Sequence, residues 1–404
     1  MIERVQELVA EEPTREVWKR LRYFLDPASA SDLIRRRQGL SPGQFEADVK
    51  KQAHQLGFSI LQAEEYFTAS ERVSLPTRPV LLYYGAVSLS KALILVAKDG
   101  THSYDALRRG NRHQHHGLVL SRRILSKPTA TSTLEGFLES VSCRVHTNPS
   151  GLPWGHFPLF YQALSTPVFQ YKKEVHDDFR GSSLLWSLEV IDGPPGISLD
   201  ELCERSLALL DLVRALPDLY FALRDLNLTP SVARGSLRMR EERIHTGNPD
   251  GTKNLSRILQ IWDFFVDGID PPDKASLLGF LAEINTDLRI ITDYGPNIHM
   301  RMSLERLPQD DFPRRYFPDV IQDAHSRSYY VLEPKKYLDE PASYLAILFS
   351  LGMVARYYPD VWMKSIQQNV RLAEFLDTVL NLVYRRFPNL ILDQMTLVKH
   401  YVHT

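Results

Sequence analysis

Between Leu81 and Val96 the apolar residues Leu82, Ala86, Leu89, Leu93 and Val96 recur at spacings of four and three. That is the stripe of an amphipathic helix, and it predicts that this face is core. Gly85, Ser88 and Ala92 lie beside it and are small, so a second helix is expected to cross closely there. Tyr84, Ser88 and Lys91 form a separate polar stripe, which puts a phenol, a hydroxyl and an ammonium on one face. If that face lines a cleft, it binds an anion.

Turn signals at Pro27, Ser41 to Gly43 and Pro76 to Pro79 divide the N-terminal third into helices. From about Leu134 to Pro195 the composition shifts to Pro, Gly and aromatic residues, with a predicted strand from Leu184 to Ile191. Trp154, Phe157, Phe160 and Tyr161 are expected to fill core there rather than to stack bases. Ser198 and Glu201 form a capping box whose helix continues towards Pro217. Asp287 to Ile291 and Ile298 to Leu304 flank the turn-like Tyr294 to Asn297, which predicts a hairpin. In it Ile298, Met300, Met302 and Leu304 face the core, leaving His299, Arg301 and Ser303 on a solvated face. Helices are expected from Pro341 to Tyr357 and from about Met363 to Phe387, packing on the N-terminal helices or on a second copy of the chain. The pattern thus gives an α+β, predominantly α-helical fold, N- and C-terminal helices packed together around a β-containing middle. Its regions are 1–133, 134–330 with the hairpin at 287–304, and 331–404.

Composition narrows the partners. With 404 residues and 44% hydrophobic content the chain can bury a large core, and its formal net charge of -1 gives no global positive field. Any nucleic-acid contact must therefore be local. Cys143 and Cys203 have no paired spacing, which fits a reducing compartment and a cytoplasmic location. The first residues carry charges where a signal peptide needs an apolar run, and Leu345 to Ala355 is too short to span a bilayer, so no membrane role is expected. Absent are a Gly-rich phosphate loop, a dinucleotide fingerprint, a Gly-x-Ser-x-Gly elbow and a paired-cysteine zinc motif. No cofactor is expected.

The candidate chemistry follows the helix, in Arg108, Arg109, Asn111, Arg112, His113, His115 and His116. A metal-independent RNase needs a base for the ribose 2′-hydroxyl proton and a cation for the charge growing on phosphorus, which histidine and arginine supply near neutral pH. His113, His115 and His116 are not expected to hold a metal, because no cysteine or carboxylate stands at ligand spacing. Farther on, Asp319, Glu333 and Lys335 match the loose PD-(D/E)xK nuclease pattern, but Pro334 interrupts the strand that pattern needs. Glu241 and Glu242 interrupt a second basic cluster of Arg234, Arg238, Arg240 and Arg243.

Tyr83-Tyr84, Lys91 to Leu93 and His116-Gly117, with Leu345 to Tyr357, Trp362 and Arg386 to Leu390, resemble the YaaC-like proteins, a bacterial family of poorly defined function. The Tyr-Tyr helix, loop and His-Gly pair also resemble, more distantly, HEPN helical domains of toxins, RNases and phage-defence proteins. That second resemblance implies a cleavage site of an arginine with a histidine four to six residues on. Arg108 with His113, Arg109 with His115, and Arg109 with His116 all fit, although the polar residue that often follows the family arginine is replaced by Arg109 or Gly110. On this reading His116 is the base, Arg109 clamps phosphate, and Asn111, Arg112 and His113 orient the RNA backbone in a site built across a dimer. The alternative is a non-catalytic protein that binds a partner protein or nucleotide through Tyr84, Ser88 and Lys91.

Overall fold

In a computed structural model of the chain, proline marks the start of several helices, because its missing N–H is an orphan in a first turn anyway. Pro13, Pro27, Pro79, Pro341 and Pro359 stand in the first turns of α1 (Pro13–Arg22), α2 (Pro27–Gln38), α4 (Arg78–Val96), α11 (Glu340–Tyr357) and α12 (Pro359–Gln368). The structure describes residues 4–97, 103–109, 114–121, 133–164, 167–178, 181–192, 197–247, 251, 253–266, 274–275, 278–279, 289–295, 297–305, 320–322, 324, 328–331 and 338–403. The fold is α+β with helices dominating. Its contacts divide the chain into two units, residues 2–165, 197–229 and 338–404, and residues 166–196 and 230–337.

The first unit is helical. Besides those named it contains α3 (Glu46–Ser70), α5 (Tyr104–Arg109), α6 (Leu134–Ser140), α7 (His156–Ala163), α8 (Leu199–Cys203), α9 (Leu209–Arg214), α10 (Tyr220–Asp225) and α13 (Val370–Thr396). α4 is the central element, packed by α3, α11 and α13, so the N- and C-terminal helices share one core. It is long and apolar enough to cross a membrane, yet 72% of its most apolar stretch is buried inside the protein. Phe157 and Phe160 are fully buried, in keeping with a core-filling role. Two small sheets complete the unit: β1 (Arg4–Val9) pairs in parallel with β13 (Val398–His403), and β3 (Ser142–Val145) lies between β2 (Leu118–Leu120) and β6 (Leu207–Ala208). The capping box is present, Ser198 Oγ accepting from Glu201 N while Glu201 reaches back to the Ser198 N–H, but its helix ends at Cys203 instead of continuing towards Pro217, and β6 and α9 follow.

The helix expected from Met363 to Phe387 is in fact two. The side chain of Asn369 accepts from Leu372 N at 3.0 Å, ending one helix and capping the next. The second then runs through Pro388 to Thr396. A buried ionic network fixes its far half: Arg386 makes two hydrogen bonds to Glu340, at 3.1 and 3.0 Å, and Tyr344 Oη donates to the same carboxylate at 2.8 Å.

The second unit is a sheet in the order β11 (Val320–Gln322), β12 (Ser328–Val331), β7 (Val232–Gly247), β8 (Lys253–Val266), β10 (Asn297–Glu305), β9 (Arg289–Tyr294). β4 (Pro167–Asp178) pairs antiparallel with β5 (Gly181–Asp192) and parallel with β7. The expected hairpin is β9 and β10, with Ile298 and Met300 buried. Its polar face departs from expectation. His299 Nε2 and Arg301 Nε both bond Asp263 Oδ1, at 2.9 and 2.7 Å, because the register sets Arg301 directly opposite Asp263 on β8.

Candidate functional site

The apolar stripe of α4 is core as its spacing predicts: Leu82, Ala86, Leu89, Leu93 and Val96 are all fully buried. Gly85 permits the close crossing of α3, since a Cβ there would lie 2.6 Å from Phe67 Cδ2. The polar stripe is divided between packing and site. Ser88 is buried, its Oγ within 2.9 Å of Gln62 Oε1 and 3.0 Å of the Tyr84 carbonyl, so it serves helix packing. Tyr84 stacks on Tyr66, and its Oη accepts from Arg356 Nη1 of α11 at 2.6 Å. Lys91 is half-buried, and that burial lowers its pKa.

His116 is delivered to Tyr83 of α4 by a backbone clip. The carbonyls of His115 and His116 accept from His156 N and Phe157 N, at 2.8 and 3.0 Å, satisfying donors at the start of α7. Gly117, at φ +80, and Gly155, at φ +116, meet so closely that a Cβ on Gly155 would lie 2.4 Å from Gly117 Cα. Only glycine fits both positions. The imidazole of His116 then has its Nδ1 2.8 Å from Tyr83 Oη and its ring against Phe349. Burial, then the charges of Arg356, His115 and Lys91, hold its pKa below the ordinary histidine value. The Tyr83 phenol is pushed well above its usual range, first by burial, and remains protonated.

The electrostatic result is a one-sided cluster. Among the described residues no carboxylate pairs with Lys91 or Arg356, and no group of three His, Cys, Asp or Glu side chains could hold a metal ion. A phosphate would supply the missing negative charge and accept from Lys91, Arg356 and the free edge of His116. Nearby, Ser90 Oγ lies 2.6 Å from His156 Nε2, but both residues are buried and present no nucleophile to solvent.

Matching by family finds the YaaC-like protein family over residues 23–395. The chain belongs to that family. Neither the curated proteins nor the solved structures contain a match. The matched span of this YaaC-like chain includes the Tyr83-Tyr84 helix, the His116-Gly117 pair and the helix carrying Arg356. Arg109 lies exposed at the end of α5, with no contact to His116 among the described residues. Asn111, Arg112 and His113 lie outside the described residues, as do Asp319, Glu333 and Lys335. Sequence reasoning missed Tyr83, Phe349 and Arg356 as neighbours of His116. The available signal was Arg356 itself, the lone cation of α11, in its last turn after a long apolar run.

Proposed function

We propose that this YaaC-like chain binds a phosphate ester, as a nucleotide or within RNA, at Tyr84, Lys91, His116 and Arg356. The observation that carries the reading is the gathering of Lys91 and Arg356 around a half-buried histidine with no carboxylate among the described residues to balance them. Cations at such a site gain most from an anion, because partial burial weakens screening by solvent. Calorimetric titration with nucleoside phosphates and a short RNA tests it. Arg356→Gln removes one charge-assisted hydrogen bond, worth about 1.5–3 kcal/mol, and is expected to weaken binding about tenfold to a hundredfold. Equal affinity in wild type, Lys91→Gln and Arg356→Gln rejects the site.

A second reading, metal-independent RNA cleavage of the HEPN-like kind, is favoured by the lowered pKa of His116, which leaves the imidazole neutral and able to take a proton near pH 7. His116 removes the ribose 2′-hydroxyl proton, and the 2′-oxygen attacks phosphorus. The P–O5′ bond breaks to leave a 2′,3′-cyclic phosphate, while the Lys91 ammonium gives a proton to the departing 5′-oxygen; afterwards His116 loses its proton to solvent and Lys91 regains one. The clamp on the phosphorane is Arg356 or Arg109. RNA cleavage in EDTA by folded His116→Ala, Arg356→Gln and Arg109→Ala variants assigns it. Loss with His116→Ala and one arginine variant supports cleavage and names the clamp, while activity surviving His116→Ala removes this reading. Sedimentation at several concentrations tests the homo-oligomer that a composite HEPN-like site requires.

A further inference from the structure

The sheet unit carries a surface that linear sequence conceals. In β7, Arg234, Arg238 and Arg240 alternate with residues of the buried side, so Glu241, which interrupts the basic cluster in sequence, is turned away and bonded by Gln260. Register extends the basic face across neighbouring strands. Arg238 stands opposite Asp263, Asp263 opposite Arg301, and Arg301 opposite Arg289 on β9, making one cross-strand row. The next row contains Phe265 and His299. The reverse face of these strands is core, with Trp262, Phe264 and Met300 fully buried.

Charge on this face is unbalanced. Asp263 is occupied by Arg301 and His299, and Glu242 by Arg240. Arg234, Arg238 and Arg289 are exposed, and none has a carboxylate partner among the described residues. The face also has flat π surfaces. His299 stacks on Phe265 with ring centroids 4.3 Å apart and planes 15° apart, and the Arg238 guanidinium lies 5.1 Å from the Phe265 centroid. An acidic protein segment would use the arginines but has no use for stacked planes, and a duplex keeps its base faces covered. Unpaired bases on a phosphate backbone use both.

We propose that this face binds single-stranded nucleic acid, with Arg234, Arg238 and Arg289 on phosphates and bases stacking on the array of Arg238, Phe265 and His299. The inference goes beyond the reading of the His116 cluster and is independent of it, because every residue it uses belongs to the other unit.

The test is fluorescence anisotropy of labelled oligouridylate and oligothymidylate with the full chain at several salt concentrations. Duplex DNA and oligoglutamate serve as competitors. For a single strand the slope of log affinity against log salt is about 0.7 per phosphate contact, so an Arg234→Gln, Arg238→Gln, Arg289→Gln variant is expected to lose about 2 from that slope. Phe265→Leu is expected to weaken binding by about fivefold to a hundredfold with the slope unchanged. Should Phe265→Leu fail to fold, the three exposed arginines still decide the matter. No binding by wild type, an unchanged slope in the triple variant, or displacement by duplex or oligoglutamate as readily as by unlabelled single strand would overturn the proposal. Oligouridylate and oligothymidylate compared side by side identify whether RNA or DNA is preferred.

Discussion

Alanine substitutions at two glycines inside helices of the helical unit are expected to have opposite signs. Gly85 and Gly352 lie within α4 and α11, where alanine's intrinsic preference is worth about 0.8–1 kcal/mol over glycine. At Gly352 a Cβ would meet Tyr83 Cβ at 3.6 Å and the Pro79 carbonyl at 3.7 Å, ordinary contact distances. Propensity should therefore dominate, and Gly352→Ala is expected to stabilise by up to about 1 kcal/mol. At Gly85 the new Cβ would lie 2.6 and 2.8 Å from two atoms of the Phe67 ring and 3.2 Å from Tyr66 Cβ. Phe67 has no free side to retreat to, being fully buried and packed on Trp18 and Tyr384. Overpacking of this kind costs about 1–3 kcal/mol. Less the propensity gain, Gly85→Ala should be destabilising by up to about 2 kcal/mol, or about 2–4 °C in melting temperature per kcal/mol for a unit of this order of size. Thermal unfolding followed by far-ultraviolet circular dichroism measures both variants against wild type. A Gly85→Ala protein more stable than wild type, or Gly352→Ala less stable by more than 1 kcal/mol by that assay, would refute packing at these crossings as described (about 1 kcal/mol being the propensity term itself).

Arg386→Met removes the buried cation that two largely buried acids, Glu340 and Asp218, flank, and is expected to cost about 3–5 kcal/mol because it leaves the Glu340 charge without its partner. Urea unfolding measures it, and a Glu340→Gln, Arg386→Met double variant that recovers nothing would show the two groups are uncoupled. His116 gives a pH prediction. Its folded pKa lies below the unfolded value, so its contribution to stability is present above that unfolded value, near 6.5, and is lost as the pH falls through and below it. A bound phosphate opposes the charges of Arg356 and Lys91 and should raise the His116 titration midpoint. NMR titration with and without phosphate ester measures that shift, and an unmoved midpoint at saturation would place the anion elsewhere.

Much of this architecture follows from short-range pattern. The α4 stripe is legible because a helix repeats every 3.6 residues and its neighbours in space are four and three apart in sequence. The β9–β10 hairpin is legible because its strands alternate about a turn, and the capping box because both its partners lie three residues apart. The same locality explains the misreadings. Nothing local marks Asn369 as a cap inside a continuous apolar pattern, and His299 and Arg301 read as solvated until β8 brings Asp263 against them.

The site divides in the same way. Sequence by itself determined that α4 is core, that it presents Tyr84 and Lys91 beside a histidine-rich segment, and that any anion contact must be local in a chain of net charge -1. Only tertiary structure brought Arg356 to Tyr84 across 272 residues, assigned Ser88 to packing, and turned Glu241 to the opposite face from Arg238 and Arg240. Composition fixes how much charge a chain has, whereas the balance of charge around one imidazole or on one sheet face depends on register and helix crossing. Those are set by the burial of apolar side chains far apart in sequence.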